Sequence, residues 1–201
     1  MGEKILKQFI CEVPKDSYID LSSYSVIGKD SFRSTNLENV FLRDAKVIEE
    51  SAFENNKNLK LAAWLKVVKC FSVVIVETTV DLEDDKTKYI LKMISIDLED
   101  GKSEEFIDEV SNTERVIIQK AAFKGCEKLE TVIFPKNKCV IEKDAFAQCK
   151  SLRTIVFPGV ETEIIDDPFI GCKDLTIVCN KDDYKLQAYA RAHSFRIIEL
   201  N

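Results

Sequence analysis

The chain reads as an α/β solenoid: a right-handed superhelix with a parallel concave sheet, short convex helical turns and a C-terminal capping helix. Three observations predict this. A motif with a period of twenty-three recurs in constant phase through the C-terminal half. Of the twelve phenylalanines, seven fall on repeat positions, so the aromatics fill a core and no aromatic box for a ligand need be invoked. Composition leaves little room for other classes. With 201 residues, 45% hydrophobic and 32% charged, the chain is ordinary for a soluble globular protein and long enough to bury a core without disulfide staples.

The regular repeats occupy 116–180. Ile118, Phe123, Cys126, Leu129, Val132, Phe134 and Pro135 recur as Ile141, Phe146, Cys149, Leu152, Ile155, Phe157 and Pro158, each one full period later. A third copy holds Ile164, Phe169, Cys172, Leu175 and Val178. Two looser copies lie in 27–63: Ile27, Phe32, Leu37, Val40 and Leu42, then Ile48, Ala52, Phe53 and Leu59. A unit this short cannot bury its own apolar face, but stacked units bury a continuous column. The Leu-x-x-Val-x-Phe segment ends in period-2 apolar residues and reads as a strand. Strands of successive units then lie parallel, ~4.8 Å apart. The Ala-Phe-x-x-Cys segment is the return, a turn of helix or 3₁₀. Pro135 and Pro158 follow the strand, where a missing N–H matters least.

Three further segments complete the chain. Residues 1–26 read as an N-terminal cap and 181–201 as a C-terminal cap. Residues 64–112 break the pattern and carry 12 acidic and 6 basic side chains. Two readings of 64–115 stand. The interval from Phe53 to Phe123 is close to three periods, and Phe71-x-x-Val74-x-Val76 and Leu91-x-x-Ile94-x-Ile96 match the strand template. That favours degenerate repeats, because an insertion has no reason to preserve phase. The rival is an acidic insertion with an antiparallel pair, 71–80 and 88–98, and an acidic helix near 103–110.

The Ile-x-x-x-Ala-Phe-x-x-Cys-x-x-Leu-x-x-Val-x-Phe-Pro runs resemble the BspA-type, or Treponema pallidum-type, leucine-rich repeat. The resemblance is strong over 116–180, moderate over 26–60 and absent over most of 64–112. Asp174–Cys179, a helix from Tyr184 and the Phe195-Arg-Ile-Ile segment look like the end cap of such arrays. The resemblance implies a curved leucine-rich-repeat solenoid used for protein–protein contact, often on the surface of anaerobic bacteria, and no enzymatic residues. A bacterial adhesin fragment is the alternative function it suggests.

Seven cysteines are present, none in C-x-x-C spacing, so a zinc ribbon or dithiol redox site has no support. The odd count leaves a free thiol, which fits a reducing compartment. Cys126, Cys149 and Cys172 share one repeat position, held by Thr35 and Asn56 in the looser copies. Stacking gives them parallel Cβ vectors, poor for disulfides, so they read as a buried ladder of small hydrophobes. Asn at this place bonds backbone groups in the bend, and a thiol does so weakly. Asp81–Asp85 fails as a calcium loop, because Lys86 and Lys92 stand where Gly and Glu are needed. Asp100-Gly101 reads as a turn. His193 sits at the end of the terminal helix and reads as a cap. No catalytic residue, metal site or cofactor is expected.

The net charge of −6 disfavours nucleic acid or an anionic membrane as partner. No apolar run approaches the roughly 20 residues of a membrane span, so no membrane insertion is expected. The N-terminus lacks signal-peptide form, which predicts a cytoplasmic protein if the chain is complete and a surface or secreted one if a leader has been removed. The expected contact surface is the concave sheet. Positions two and four after the repeat leucine give one row of Asn39, Leu61, Thr131, Thr154 and Ile177 and another of Phe41, Ala63, Ile133, Val156 and Cys179. Neither row holds a charge, and exposed apolar surface of this kind marks contact sites. Phe41, Thr131, Ile133, Thr154, Val156 and Ile177 are the candidate contacts for a protein or peptide partner or a second copy. The same rows also suit a merely structural sheet, or one covered by the chain itself.

Overall fold

The computed structural model describes residues 5–6, 18–64, 73–79, 89–96, 103–105 and 115–200. Each turn contributes two short strands. The first three turns are β1 (Ile5–Leu6) with β2 (Tyr18–Asp20), β3 (Val26–Ile27) with β4 (Asn39–Phe41), and β5 (Val47–Ile48) with β6 (Leu61–Ala63). Then come β7 (Val73–Thr79), β8 (Tyr89–Ile96) and β9 (Ser103–Glu105), which pair antiparallel in a sheet of their own. The solenoid resumes with β10 (Val116–Ile118) and β11 (Thr131–Ile133), β12 (Cys139–Ile141) and β13 (Thr154–Phe157), and β14 (Glu163–Ile164) and β15 (Thr176–Asn180). Helix α1 (Tyr184–Ala192) and strand β16 (Arg196–Leu200) close it.

The result is a parallel-sheet solenoid of six turns. One sheet runs β1-β3-β5-β10-β12-β14, the other β2-β4-β6-β11-β13-β15-β16. The second holds the Leu-x-x-Val-x-Phe strands, from which the repeat is expected to build its concave sheet. The first replaces the expected short helical turns, and α1 is the one helix among the described residues. The reason lies in the return segment. Left-handed residues interrupt it twice per turn: Asp30 and Ser34, Ser51 and Asn55, Ala121 and Gly125, Asp144 and Gln148, all with φ between 55° and 72°. An α-helix cannot pass through a left-handed residue. Backbone N–H groups there donate to the next turn instead, as Phe53 to Ala122 O (2.7 Å), Phe123 to Ala145 O (2.8 Å) and Phe146 to Pro168 O (2.9 Å). The return thus extends the ladder between turns. Gly125 has a further reason to be glycine, since a Cβ would stand 2.5 Å from Asn55 Oδ1.

The repeat phenylalanines form the columns that the spacing predicts. Phe32, Phe53, Phe123, Phe146 and Phe169 stack face to face with centroids 5.0–5.7 Å apart. Trp64, Phe134 and Phe157 make a second column at 4.9 and 4.7 Å. All are buried in one continuous core. Phe195 closes the first column edge-on at 6.1 Å from Phe169.

Phe53 stacks on Phe123, β5 pairs with β10 and β6 with β11. Turn 3 therefore lies directly on turn 4, and no degenerate repeat stands between them. The links β2–β3, β4–β5, β11–β12 and β13–β14 each hold five residues (21–25, 42–46, 134–138, 158–162), whereas all of 64–115 separates β6 from β10. The excess over an ordinary link is close to two periods, which is why phase survives the insertion. The antiparallel pair appears as 73–79 and 89–96, while 103–105 are strand where the acidic helix is expected. Within 1–26, the expected N-terminal cap, β1 and β2 pair in register with turn 2. The acidic Asp81–Asp85 run, the Asp100-Gly101 turn, Cys11 and Cys70 lie outside the described residues.

Candidate interaction surface

The concave sheet presents two rows in strict register. The outer row is Asn39, Leu61, Thr131, Thr154, Thr176 and Arg196. Asn39, Leu61, Thr131, Thr154 and Thr176 are half-buried and uncharged. The inner row is Phe41, Ala63, Ile133, Val156, Val178 and Ile198. Thr131 and Thr154 therefore sit where the spacing places them, side by side on an accessible strip.

The other four candidates are corrected. Ile177 is fully buried in the main core, as is Cys179. Turn 6 is one residue shorter before its strand, so Thr154 pairs with Thr176 rather than with Ile177. Because side chains alternate along a strand, a slip of one residue exchanges the two faces. Phe41, Ile133 and Val156 do point away from the main core, but they are not exposed: relative exposure is 8%, 3% and 3%, with Ala63 at 0% and Val178 at 3%. They form a second apolar cluster, which Leu61, Ile198 and Leu200 join at its margin.

Along the rim before each strand, charges alternate from turn to turn and neutralise one another. Lys60 pairs with Glu38 at 2.9 Å, Arg153 approaches Asp174 at 3.8 Å, and Lys150 pairs with Glu127 at 3.4 Å. These exposed pairs contribute little stability each.

The cysteine ladder is structural. Cys126 Sγ donates to Phe53 O at 3.2 Å, Cys149 Sγ to Phe123 O at 3.2 Å and Cys172 Sγ to Phe146 O at 3.4 Å. Each thiol thus reaches back to the phenylalanine carbonyl of the preceding turn. Asn56 Nδ2 does the same to Phe32 O and also donates to Phe53 O at 3.1 Å, and Thr35 Oγ1 lies 3.0 Å from Phe32 O. Burial pushes the Cys139 and Cys172 thiols up to about 12 and Cys179 to about 11. Burial, helped by a hydrogen bond with Cys126, raises Cys149 well above its ordinary value. All five described cysteines are free and buried, and the raised values keep Cys139, Cys149, Cys172 and Cys179 protonated and poorly nucleophilic. Among the described residues no group of three or more His, Cys, Asp or Glu is placed to hold a metal ion.

The C-terminal cap is well tied. Asp183 is buried at the N-cap of α1, its carboxylate accepting from Leu186 N at 3.2 Å and from Thr162 N at 2.9 Å. Nothing in the sequence hints at this link to turn 6, because only the fold brings residues 162 and 183 together. His193 is the C-cap, its Nδ1 2.9 Å from Tyr189 O and its ring packed on Tyr189.

No helix among the described residues is long and apolar enough to cross a membrane. No curated protein and no solved structure matches the chain. The family model described as the BspA type leucine-rich repeat region matches residues 8–72 and 107–198 in six copies. The six copies equal the six turns, and the match skips most of the segment between β6 and β10. The chain belongs to the BspA-type leucine-rich repeat family, a family of protein-interaction repeat modules.

Proposed function

We propose that the chain is a non-enzymatic interaction module that takes a protein or peptide on its concave sheet. The observation that carries this is the outer row of Asn39, Leu61, Thr131, Thr154 and Thr176. It is uncharged, accessible and continuous over five strands, in a chain where 32% of residues are charged. Hydroxyl and amide groups along this row offer hydrogen bonds to a protein or peptide laid across the strands. The described thiols are buried, and the lone histidine caps a helix, so the described residues supply recognition rather than reaction chemistry.

Capture from a native lysate tests this. Thr131→Glu together with Thr154→Glu places two charges in the row without touching the core. The doubly substituted chain should keep its circular dichroism and lose its captured protein. Retention of every captured protein would place the contact elsewhere. The adhesin reading is the finer form of the same proposal. It requires that the chain also capture a protein from a host-cell surface fraction, and capture of a cytoplasmic component of the native lysate with nothing from that fraction would refute it.

A further inference from the structure

The inner row of the concave sheet is buried on the wrong side. Ile133 lies between Val132 and Phe134, which enter the main core, so it points to the opposite face. Parallel neighbours ~4.8 Å away shield the flanks of such a side chain but leave its tip open. Yet Phe41, Ala63, Ile133, Val156 and Val178 are all buried. A sheet apolar on both faces needs a layer on each. The solenoid itself supplies only one.

The segment between β6 and β10 has the complementary need. Its chain leaves at Trp64, beside β6 in the middle of the concave sheet. Its β8 lies against β16, at that sheet's far edge. From β6 to β16 is four strand steps, about 19 Å at ~4.8 Å each. The register places Val74, Val76, Ile90, Ile94 and Ile96 on one face of the β7–β8 pair and Val73, Ile75, Leu91 and Met93 on the other. With apolar residues on both faces, this three-stranded sheet needs an apolar surface to pack on.

We propose that the inserted sheet β7–β9 lies across the concave sheet and covers the inner row in cis, as a displaceable layer over the face that would receive a partner. The cover adds no strand to either solenoid sheet, so it leaves without breaking a single solenoid ladder bond. The part played by a partner rests on the function proposed above; the cover itself does not.

Maleimide labelling of Val156→Cys, read site by site from peptide masses, tests the cover without any partner. Two chains are compared: the full chain and one lacking residues 66–112. That deletion leaves five residues between β6 and β10, the length of every other such link. The expected result is slow labelling in the full chain and an increase of about 100-fold or more in the folded, shortened chain. Fast labelling of the full chain overturns the proposal. Equal protection in both folded chains also overturns it, and loss of that protection on dilution would assign the cover to a second copy. Should the shortened chain not fold, two full-length variants decide: Val74→Lys with Ile94→Lys, and Ile75→Lys with Met93→Lys, one pair for each face of the inserted sheet. At least one must accelerate labelling; if neither does, the inserted sheet is not the cover.

Discussion

Phe146→Ala removes an interior ring of the longest column. Phe146 is fully buried, stacked between Phe123 at 5.2 Å and Phe169 at 5.7 Å, and met edge-on by Phe134 at 6.5 Å. Truncating a buried Phe to Ala costs roughly 3–5 kcal/mol, depending on how far the site collapses. Collapse is restricted here, because the walls are rings fixed by two hydrogen-bonded sheets. The two stacked contacts also lose about 0.5–1.5 kcal/mol each beyond plain area burial. The expected loss therefore sits in the upper half of the range, about 4–5 kcal/mol. That is a large share of the roughly 5–15 kcal/mol that holds a domain folded. Phe146→Leu retains most of the volume and should cost clearly less. The assay is equilibrium urea unfolding followed by circular dichroism, with hydrogen exchange to localise the damage. Repeat arrays couple through nearest neighbours, so turns 4–6 should lose protection before turns 1–3. A loss below about 1 kcal/mol, or damage spread evenly along the rod, would refute the stacked-column reasoning.

Three further outcomes are expected. Asn56→Ala deletes the donor that serves Phe32 O and Phe53 O, and should cost about 1–3 kcal/mol, whereas Cys149→Val, which removes one weak donor, should cost about 1 kcal/mol or less; urea melts rank them. The native thiols at 139 and 172 should resist brief iodoacetamide at pH 8, since a value of about 12 leaves about one thiolate in ten thousand. Their values are raised on folding, so this contribution is full below the ordinary thiol value of 9.0 and is lost as pH rises toward 12, at about 1.4 kcal/mol per pH unit for each thiol. A flat stability profile from pH 9 to 11 would contradict that. Asp183→Ala unties α1 from turn 6 and should cost about 1–2 kcal/mol with loss of helical signal; an unchanged spectrum and midpoint would show that the cap is idle.

Spacing carries the columns, the concave sheet and the cysteine ladder. Phe123, Phe146 and Phe169 are one period apart in sequence and one turn apart in space because the period is the turn. The second sheet is not legible, since it depends on left-handed backbone at residues such as Ala121 and Gln148, types that do not advertise it. Ile177 is misplaced by spacing for a related reason. The apolar template fits at either of two registers one residue apart, and only pairing with Thr154-Ile-Val-Phe selects one. The insertion is disguised by its length, whose excess over an ordinary link keeps nearly the phase of two repeats. The buried inner row escapes sequence reasoning because an uncharged strand reads alike whether solvent or a second layer meets it.

The most direct test of direct stacking across the insertion is a ring-to-ring nuclear Overhauser measurement between Phe53 and Phe123 on selectively labelled protein. The two rings belong to segments far apart in the chain, yet their centroids lie 5.0 Å apart in the fold. A cross-peak as strong as that between Phe123 and Phe146 is predicted. Its absence, with the Phe123–Phe146 peak intact, would mean that turns 3 and 4 are not neighbours.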